Sequence, residues 1–411
     1  MYYRLQTKML LKYLKLFPVV AVSGPRQVGK STLVQSKEIL KAGHRKYYTL
    51  DSFDVLELAK NEPESLIKQE GPITIDEVQL CPELLVEIKK EVDKNREPGK
   101  YLLTGSADLS FAAGLSKVLA GRVGIIDLLP LSWWEIEKKE GIPWIISCLE
   151  SKKFGVSDIK LKPNKKSLED MILKGGYPPA ALCKIVEDAH IWHGNYKQSY
   201  LERDIRQFTE ILHISEFAKL LTLCSARTGR LLNQADLARD ANLIPVTVAR
   251  YLNLLEVTFQ IKRLQPYFTN ISKRQVKSPK LYWCDTGMAT YLLGLNNIEA
   301  IIKNNLWGQI LETYVIMQIE TYLKGFKPSA SLYFWRSHDG REIDGVITDG
   351  LNKIAFEVKA SKKLSYSDAN AIREFVKLDK HCKFGFIFYL GDEVTLLGKN
   401  IWGLPVEALL G

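Results

Sequence analysis

Residues 24–31 have the composition of a loop that binds phosphate. They read GPRQVGKS and fit the Walker A pattern G-x-x-x-x-G-K-[ST] throughout. Glycines let backbone N–H groups turn towards phosphates, so we predict that Lys30 reaches the β- and γ-phosphates of ATP and that Ser31 holds Mg²⁺. A chance glycine-rich turn is the alternative. The predicted nucleotide-binding residues are Gly24, Pro25, Arg26, Gln27, Val28, Gly29, Lys30, Ser31 and Thr32.

A pair of acids ends the next apolar strand. Residues 73–79 read ITIDEVQ, in which Ile73 and Ile75 precede Asp76 and Glu77. Asp76 is predicted to hold Mg²⁺ together with Ser31, directly or through water. Glu77 is the candidate catalytic base that orients the attacking water. A solvated acid pair at a strand end is the alternative.

Two hydroxyl side chains end a further apolar strand. In YLLTGSADL, residues 101–109, Thr104 and Ser106 follow an apolar run. A polar residue at the tip of a strand beside the acidic strand can contact the γ-phosphate, so both are candidate catalytic residues. An ordinary Thr-Gly-Ser turn has the same sequence.

A second set of ionisable residues lies near the C-terminal end. Residues 354–361 read IAFEVKAS, with the alternation of a half-buried strand, so Glu357 and Lys359 should leave the same face. Glu312 lies in the apolar helical segment WGQILETYVIMQI, and Asp344 lies in the strand of GREIDGVITD.

Helix Glu, strand Asp and strand Glu-x-Lys, in that order, resemble the core of PD-(D/E)XK nucleases. This resemblance implies that Glu312, Asp344 and Glu357 hold Mg²⁺ or Mn²⁺ and that Lys359 orients water or stabilises charge on phosphate. All four are therefore candidate catalytic residues. A solvated polar face, or a nuclease-like core kept as an inactive scaffold, is the alternative.

The elements that carry these residues indicate an α/β protein. Residues 19–22 form an apolar, β-branched run suited to a buried parallel strand, and a helix beginning near Lys30 would point its positive end at the phosphates. The length of 411 residues suggests two or three domains. A content of 46% apolar and 25% charged residues is typical of soluble globular proteins.

Charge, hydropathy and cysteine spacing bear on the partners, the location and the cysteine chemistry of the protein. A net charge of +10 and a pI of about 9.0 permit a polyanionic partner without demonstrating one. Basic residues interrupt the N-terminal apolar stretch, so we expect neither a signal peptide nor a membrane span, and a cytoplasmic location. The 6 cysteines have no C-x-x-C pair, which favours reduced thiols over disulfides or a zinc site.

The middle of the chain begins with a change of composition. Residues 151–166 are polar and rich in lysine, as in a linker or exposed insertion. Arg203 and Asp204 are candidates for an ion pair between domains or near the nucleotide, with a surface salt bridge as the alternative. A stripe at roughly helical spacing, typical of packing, comprises Trp192, Tyr196 and Leu201.

Residues 216–265 read as three helices and a strand pair, the order of a winged helix-turn-helix. Asn233 is the expected N-cap of the second helix, and Pro245 should begin the third. The third helix is expected to direct outward Thr247 and Arg250, and inward Val248, Tyr251 and Leu252.

Nucleic-acid binding and docking between domains both remain open for this winged helix. Phosphate contacts need cations along a continuous path, and the nearby cations favour DNA as partner. These cations are Lys262, Arg263, Lys273, Arg274, Lys277 and Lys280.

Several motifs taken together resemble one family. GPRQVGKST, ITIDEVQ, LLTGSADL and LAGRVGIIDLLPLSWWE, followed by GGYPPA, YLERDI, KLYWCDTGM and GREIDGV, resemble bacterial and archaeal AAA-type ATPases fused to a C-terminal domain of unknown function. The resemblance covers nearly the whole chain and implies ATP binding and hydrolysis. It also implies that Arg122 of LAGRV senses or completes a nucleotide site, with a surface or helix-capping arginine as the alternative.

We therefore expect an α/β protein of three parts. They are a P-loop AAA-type ATPase domain over residues 1–150, a helical and winged-helix region over 151–215 and 216–295, and a C-terminal α/β restriction-endonuclease-like domain over 296–411. The expected function is an ATPase that acts on DNA or is regulated by it, with a nuclease site as a further possibility. The alternative is a regulatory or scaffold ATPase that binds a protein partner. A homo-oligomer is possible, and no membrane partner is expected.

Overall fold

The computed structural model describes residues 3–41, 43–106, 114–151, 154–155, 159, 165–201, 214–268, 278–337 and 339–410. The chain divides into two compact units. One comprises Met1–Pro130 with Asn253–Gln260, and the other comprises Leu131–Leu252 with Ile261–Gly411. The first unit thus ends before the boundary expected at residue 150.

The first unit contains a parallel sheet of five strands. They are β1 (Val19–Ser23), β2 (Lys46–Thr49), β3 (Ile73–Asp76), β4 (Tyr101–Gly105) and β5 (Val123–Asp127). The strand order is β2-β3-β4-β1-β5, and each neighbouring pair is parallel. The carboxyl ends of these strands therefore meet at one edge of the sheet, where α/β proteins bind ligands.

Helices accompany this sheet. They are α1 (Thr7–Leu16), α2 (Lys30–Val34), α3 (Lys37–Lys41), α4 (Phe53–Asn61), α5 (Pro63–Ile67), α6 (Leu84–Lys94) and α7 (Leu115–Val118). Val19 and Ala21 of β1 belong to one apolar cluster, whereas Val20 and Val22 belong to another. Since successive side chains of a strand point to opposite faces, both faces of β1 are covered. This explains its continuous apolar sequence and confirms the predicted buried parallel strand.

The second stretch of the chain is rich in helices. From residue 131 onward they are α8 (Trp133–Ile136), α9 (Trp144–Ser151), α10 (Lys165–Lys174), α11 (Pro178–Ala181), α12 (Val186–Tyr196), α13 (Ile214–Ala226), α14 (Gln234–Ala241), α15 (Pro245–Val257), α16 (Thr286–Leu292), α17 (Ile298–Lys303), α18 (Trp307–Phe326) and α19 (Asn370–Leu378). Trp192 and Tyr196 stack with ring centroids 5.1 Å apart, which confirms the predicted packing role of these two side chains. Arg203, Asp204 and more than half of the expected linker lie outside the described residues.

A small antiparallel sheet accompanies helices α13 to α15. Its strands are β6 (Arg230–Leu231), β7 (Ile261–Leu264) and β8 (Lys280–Trp283), in the order β6-β8-β7. The two helix starts are confirmed: Asn233 accepts hydrogen bonds from two backbone N–H groups of α14, and Pro245 is the first residue of α15. On α15, Val248 is fully buried and Arg250 is exposed as expected, but Thr247 is half-buried.

The C-terminal part is a mixed sheet of six strands. They are β9 (Ser331–Arg336), β10 (Glu342–Asp349), β11 (Asn352–Lys359), β12 (Cys382–Tyr389), β13 (Thr395–Gly398) and β14 (Ile401–Pro405). The strand order is β13-β14-β12-β11-β10-β9. β9, β10 and β11 pair antiparallel, and β12 joins β11 in parallel after helix α19. The strand predicted around Glu357 and the helix predicted around Glu312 are both present.

The structure also describes the cysteines and the hydropathy of the helices. All six cysteines are free, and five of them are buried. Among the described residues, no helix combines the length and the apolar character needed to cross a lipid bilayer.

Candidate functional site

The phosphate-binding loop follows β1 and bends sharply towards β5. A side chain at Gly24 would place its Cβ 2.2 Å from the backbone oxygen of Leu128, so only glycine fits there. Gly29 has a φ of +95°, in the left-handed region that glycine adopts readily, and it precedes α2. The two glycines of the Walker A pattern therefore have separate steric causes.

Lys30 is folded back on its own loop. Its side chain is 4% exposed, and Nζ donates to the carbonyl oxygens of Gly24 at 3.1 Å and Pro25 at 2.9 Å. Burial lowers the pKa of Lys30 to about 8, although Glu77 and Asp76 oppose this shift. A polyphosphate in the loop would offer this ammonium a stronger partner than two neutral carbonyls.

Asp76 is the centre of a cluster of hydroxyl groups. Ser31 donates from Oγ to Oδ2 of Asp76 at 2.7 Å, and Tyr47 donates from its hydroxyl to the same oxygen at 2.5 Å. Thr104 donates to Oδ1. The two predicted Mg²⁺ ligands, Ser31 and Asp76, are therefore adjacent, and their oxygen donors suit a hard cation such as Mg²⁺. Tyr47 was not foreseen, because it lies on the neighbouring strand β2.

Glu77 is held by a side chain that the sequence analysis did not select. Nε2 of Gln79 donates both to Oε2 of Glu77 and, at 3.0 Å, to Oγ of Ser106. The backbone N–H of Glu77 donates to Oγ1 of Thr104 at 3.3 Å. The backbone of Glu77 has a φ of +59°. A positive φ is uncommon for residues other than glycine, and backbone strain of this kind is found at functional sites. Its carboxylate is thus fixed beside β4.

Arg4 braces the loop from the N-terminal side. It is 5% exposed and donates to the carbonyl oxygens of Val28 at 2.7 Å and Leu129 at 2.5 Å. It thereby joins the phosphate-binding loop to the segment after β5. Nothing in the spacing of the motif indicated this arginine.

Arg122 lies at the opposite edge of the sheet. It immediately precedes β5, and its carbonyl accepts from the backbone N–H of Val19, at the beginning of β1. Nε of Arg122 donates to Oδ1 of Asp93 at 2.5 Å. Five strand residues at about 3.3 Å each separate this edge from the loop, or about 16 Å, so Arg122 does not reach the phosphate site of its own chain.

Two candidate residues of the C-terminal part, Glu312 and Asp344, contact a buried lysine. Nζ of Lys280, on β8, lies 2.8 Å from Oε1 of Glu312 and 3.2 Å from Oδ1 of Asp344, and it also pairs with Glu342. Tyr282 donates to the same oxygen of Glu312 at 2.5 Å. Burial and the charge of Asp344 raise the pKa of Glu312 to about 8, although Lys280 opposes the shift. The ammonium of Lys280 therefore pairs with three carboxylates.

Glu357 has a lysine of its own. Its Oε1 pairs with Lys359, which confirms that the two side chains share a face of β11. Oε2 of Glu357 is buried and finds no partner within the described ranges. Burial raises the pKa of Glu357 to about 7. Within the part of the chain that the structure describes, no group of three or more His, Cys, Asp or Glu side chains is arranged to hold a metal ion.

Two of the cations predicted to contact DNA are engaged elsewhere. Lys280 is 2% exposed and neutralised by carboxylates, so the expectation that it contacts phosphate is wrong. Lys262 lies 2.8 Å from Oε1 of Glu320, an ion pair that competes with phosphate. Lys273, Arg274 and Lys277 lie outside the described residues.

Three family models match successive parts of the chain. A model described as AAA domain matches residues 16–137, and models described as domains of unknown function match residues 165–299 (DUF8612) and 307–409 (DUF4143). The P-loop site lies within the first match, and this AAA domain supports ATP binding.

Solved structures show only distant likeness. The Walker-type ATPase PabY2304 of Pyrococcus abyssi is 14% identical, with a TM-score of 0.43 over 70% of this chain and 94% of that one. The RuvB Holliday junction branch migration motor of Thermotoga maritima is 20% identical, with a TM-score of 0.30 over 64% of this chain and 90% of that one. Scores of this size establish neither a common overall fold nor a common function.

Two curated relatives match almost the whole chain. They are the uncharacterized proteins Mb2031c of Mycobacterium bovis and Rv2008c of Mycobacterium tuberculosis. Each is 30% identical over 394 residues, which cover 96% of this chain and 81% of the relative. The chain therefore belongs to the family of these two mycobacterial proteins, and it carries an AAA domain in residues 16–137.

Proposed function

We propose that this protein hydrolyses ATP with Mg²⁺ at the carboxyl edge of its parallel sheet. The observation that carries this proposal is the meeting of Ser31, Asp76 and the Glu77–Gln79–Ser106 chain beside the loop of Lys30. A protein that only bound phosphate would need no more than the loop and its lysine. A fixed carboxylate beside them is the group that hydrolysis requires.

Each residue has a distinct task in this reaction. Lys30 leaves the carbonyls of Gly24 and Pro25 and binds the β- and γ-phosphates. Ser31 and Asp76 would hold Mg²⁺, which neutralises charge on the phosphates and orients them. Glu77 orients the attacking water and accepts its proton, while Gln79 and Ser106 keep this carboxylate in position. Thr104 fixes Asp76 and the backbone of Glu77.

Arg122 is proposed to complete the nucleotide site of a neighbouring subunit in a homo-oligomer. Its distance from the phosphate loop of its own chain supports a role in trans, where a cation can stabilise charge in the transition state. The exposed pair with Asp93 is compatible with this role, since a surface ion pair contributes little stability and is easily exchanged.

We further propose that the middle region binds DNA and that DNA regulates ATP turnover. The order α13, β6, α14, α15, β7, β8 supports a winged helix, and the exposed Arg250 on α15 supports contact with phosphate. A protein-binding regulatory ATPase is the competing class. The pairing of Lys262 with Glu320 favours it, because this cation is already neutralised.

The C-terminal order α18, β9, β10, β11, α19, β12, with Glu-x-Lys on β11, supports a nuclease-like architecture. The side chains do not fit the metal that such an enzyme needs, because lysines already occupy the carboxylates. We therefore do not propose cleavage at this site.

The decisive experiment measures ATP turnover alone and with single-stranded, duplex or branched DNA. We expect Mg²⁺-dependent turnover that at least one DNA form changes severalfold, with a Glu77→Gln variant as the inactive control. Absence of turnover under all conditions would refute hydrolysis. Turnover that no DNA form changes would favour the regulatory class that binds protein.

A further inference from the structure

Lys280 places a buried positive charge among carboxylates that come from two other elements. Its side chain is 2% exposed, although it lies on the short strand β8 of the small sheet. Nζ contacts Glu312 of α18 at 2.8 Å and Asp344 of β10 at 3.2 Å, and it also contacts Glu342 of β10. The ammonium of Lys280 therefore lies among the carboxylates of Glu312, Glu342 and Asp344.

Two of these carboxylates, Glu312 and Asp344, are among the three that the sequence assigned to a metal, and the third, Glu357, pairs with Lys359. Mg²⁺ takes near-octahedral oxygen ligands at about 2.0–2.1 Å. Oδ1 of Asp344 is bonded to Lys280, and Oδ2 accepts from the backbone N–H of Val358 at 2.9 Å. Oε1 of Glu357 is paired with Lys359. Oε2 of Glu357, which has no hydrogen-bond partner among the described residues, supplies a single ligand, and one ligand does not make a site for this cation.

Carboxylates that converge need a neutralising charge, whether from a metal or from the chain itself. We propose that Lys280 is the built-in counter-ion of this site. It takes the place of a divalent cation, and the carboxylates fasten the small sheet to the C-terminal part instead of holding a metal for cleavage. This inference is independent of ATP hydrolysis and holds even if the AAA domain only binds nucleotide.

Two neighbouring contacts also join the small sheet to α18. Tyr282 lies two residues after Lys280, on the same face of β8, and donates to Oε1 of Glu312 at 2.5 Å. Lys262 of the adjacent strand β7 pairs at 2.8 Å with Glu320, which is 7% exposed on α18. Acids of α18 thus receive donors from both strands, and Lys280 differs from Lys262 in contacting three carboxylates.

Lys262, which pairs with a single carboxylate, provides a matched control for a test of Lys280 by metal binding. Bound Mn²⁺ would be counted by electron paramagnetic resonance in nucleotide-free full-length protein: wild type, Lys280→Met and Lys262→Met. We expect Lys280→Met to bind one Mn²⁺ more than wild type and to gain several degrees in melting temperature when Mn²⁺ is added. Lys262→Met should bind the same number as wild type, because it exposes a single carboxylate. An equal count in Lys280→Met and wild type would overturn the proposal.

A variant that retains Lys280 covers the case in which Lys280→Met does not fold. Asp344→Asn should bind as many Mn²⁺ ions as wild type, since Asp344 holds an ammonium and not a metal. Loss of one ion in Asp344→Asn would overturn the proposal. Incubation with linear and branched DNA, Mn²⁺ and ATP gives an independent readout: we expect no cleavage by wild type, and cleavage that Lys359→Ala abolishes would also overturn it.

Discussion

Ser31 donates a hydrogen bond of 2.7 Å to Oδ2 of Asp76, although 45 residues separate them in sequence. This contact joins the phosphate-binding loop to the strand that carries the acids. It fixes the relative positions of the two residues proposed to hold Mg²⁺ before any nucleotide binds. It also places Glu77, the next residue, beside the loop, so the roles of Lys30 and Glu77 can be separated by mutation.

Lys30→Ala should remove nucleotide binding, whereas Glu77→Gln should retain it and stop turnover. Lys30 neutralises phosphate charge, but Glu77 acts only on the water, and a lost general base typically lowers kcat by about 10²–10⁴-fold. A fluorescent ATP analogue measures binding, and phosphate release measures turnover. Turnover of Glu77→Gln at the wild-type rate would mean that another residue is the base.

The pH dependence of ATP binding should follow the ammonium of Lys30. Burial lowers its pKa to about 8 in the nucleotide-free site, and bound phosphates would raise it. Binding then favours the protonated form, so affinity is fully present below about pH 8 and falls as the pH rises, by up to about tenfold per unit. The matched control is Lys30→Arg, whose guanidinium stays charged and should give a flat profile. A parallel fall in both proteins would contradict this assignment.

Gln79→Ala should lower kcat about tenfold while the affinity for ATP stays close to the wild-type value. Gln79 links Glu77 to Ser106, so its loss should release the carboxylate that orients water. Kinetics at saturating ATP measure the effect. Gln79→Glu is the stricter variant, since it keeps the size but replaces the donor by a like charge, and it should be at least as slow. An unchanged kcat in both variants would show that Glu77 needs no such support.

Arg122 should act across a subunit boundary. Lys30→Ala and Arg122→Ala chains should each be inactive alone, and a mixture should recover part of the turnover, because some interfaces then pair an intact loop with an intact arginine. Sedimentation at micromolar concentration tests the assembly itself. A strictly monomeric chain, or mixtures without any recovery, would contradict the role in trans.

Arg250→Ala should weaken DNA binding and reduce its dependence on salt. One phosphate contact contributes about 0.9 to the slope of log K against log salt. Lys262→Met is the control: Lys262 already pairs with Glu320, so this slope should stay at the wild-type value. DNA titrations of wild type, Arg250→Ala and Lys262→Met at several salt concentrations measure the three slopes. Equal slopes in all three proteins would show that Arg250 touches no phosphate.

Local motifs determined much of the AAA domain. The phosphate loop, the strand before it and the helix that begins at Lys30 are contiguous in sequence, and their conformations depend on glycine, apolar alternation and neighbouring residues. The positions of Asp76 at the end of β3 and of Thr104 near the end of β4 could be predicted for the same reason. Asn233 and Pro245 likewise marked the starts of α14 and α15, because capping is a local property.

Which side chains meet was decided by the tertiary structure. The pattern gave no indication that Tyr47 and Gln79 would support Asp76 and Glu77, because side-chain partners depend on strand order and on backbone direction after β3. Lys280 illustrates the same limit more sharply. Its place among the basic residues near the winged helix favours contact with phosphate, but the folded chain buries it beside carboxylates.

The sequence by itself determined that Glu312, Asp344 and Glu357 lie on a helix and two strands, since helix and strand periodicity are local. Only the packing of β8 against α18 and β10 decided that a lysine from outside these elements pairs with Glu312 and Asp344. The physical reason is that periodicity specifies the face on which a charge lies but not the charge that faces it. Neutralisation is a property of the assembled site, because the Coulomb energy depends on distances that only folding fixes.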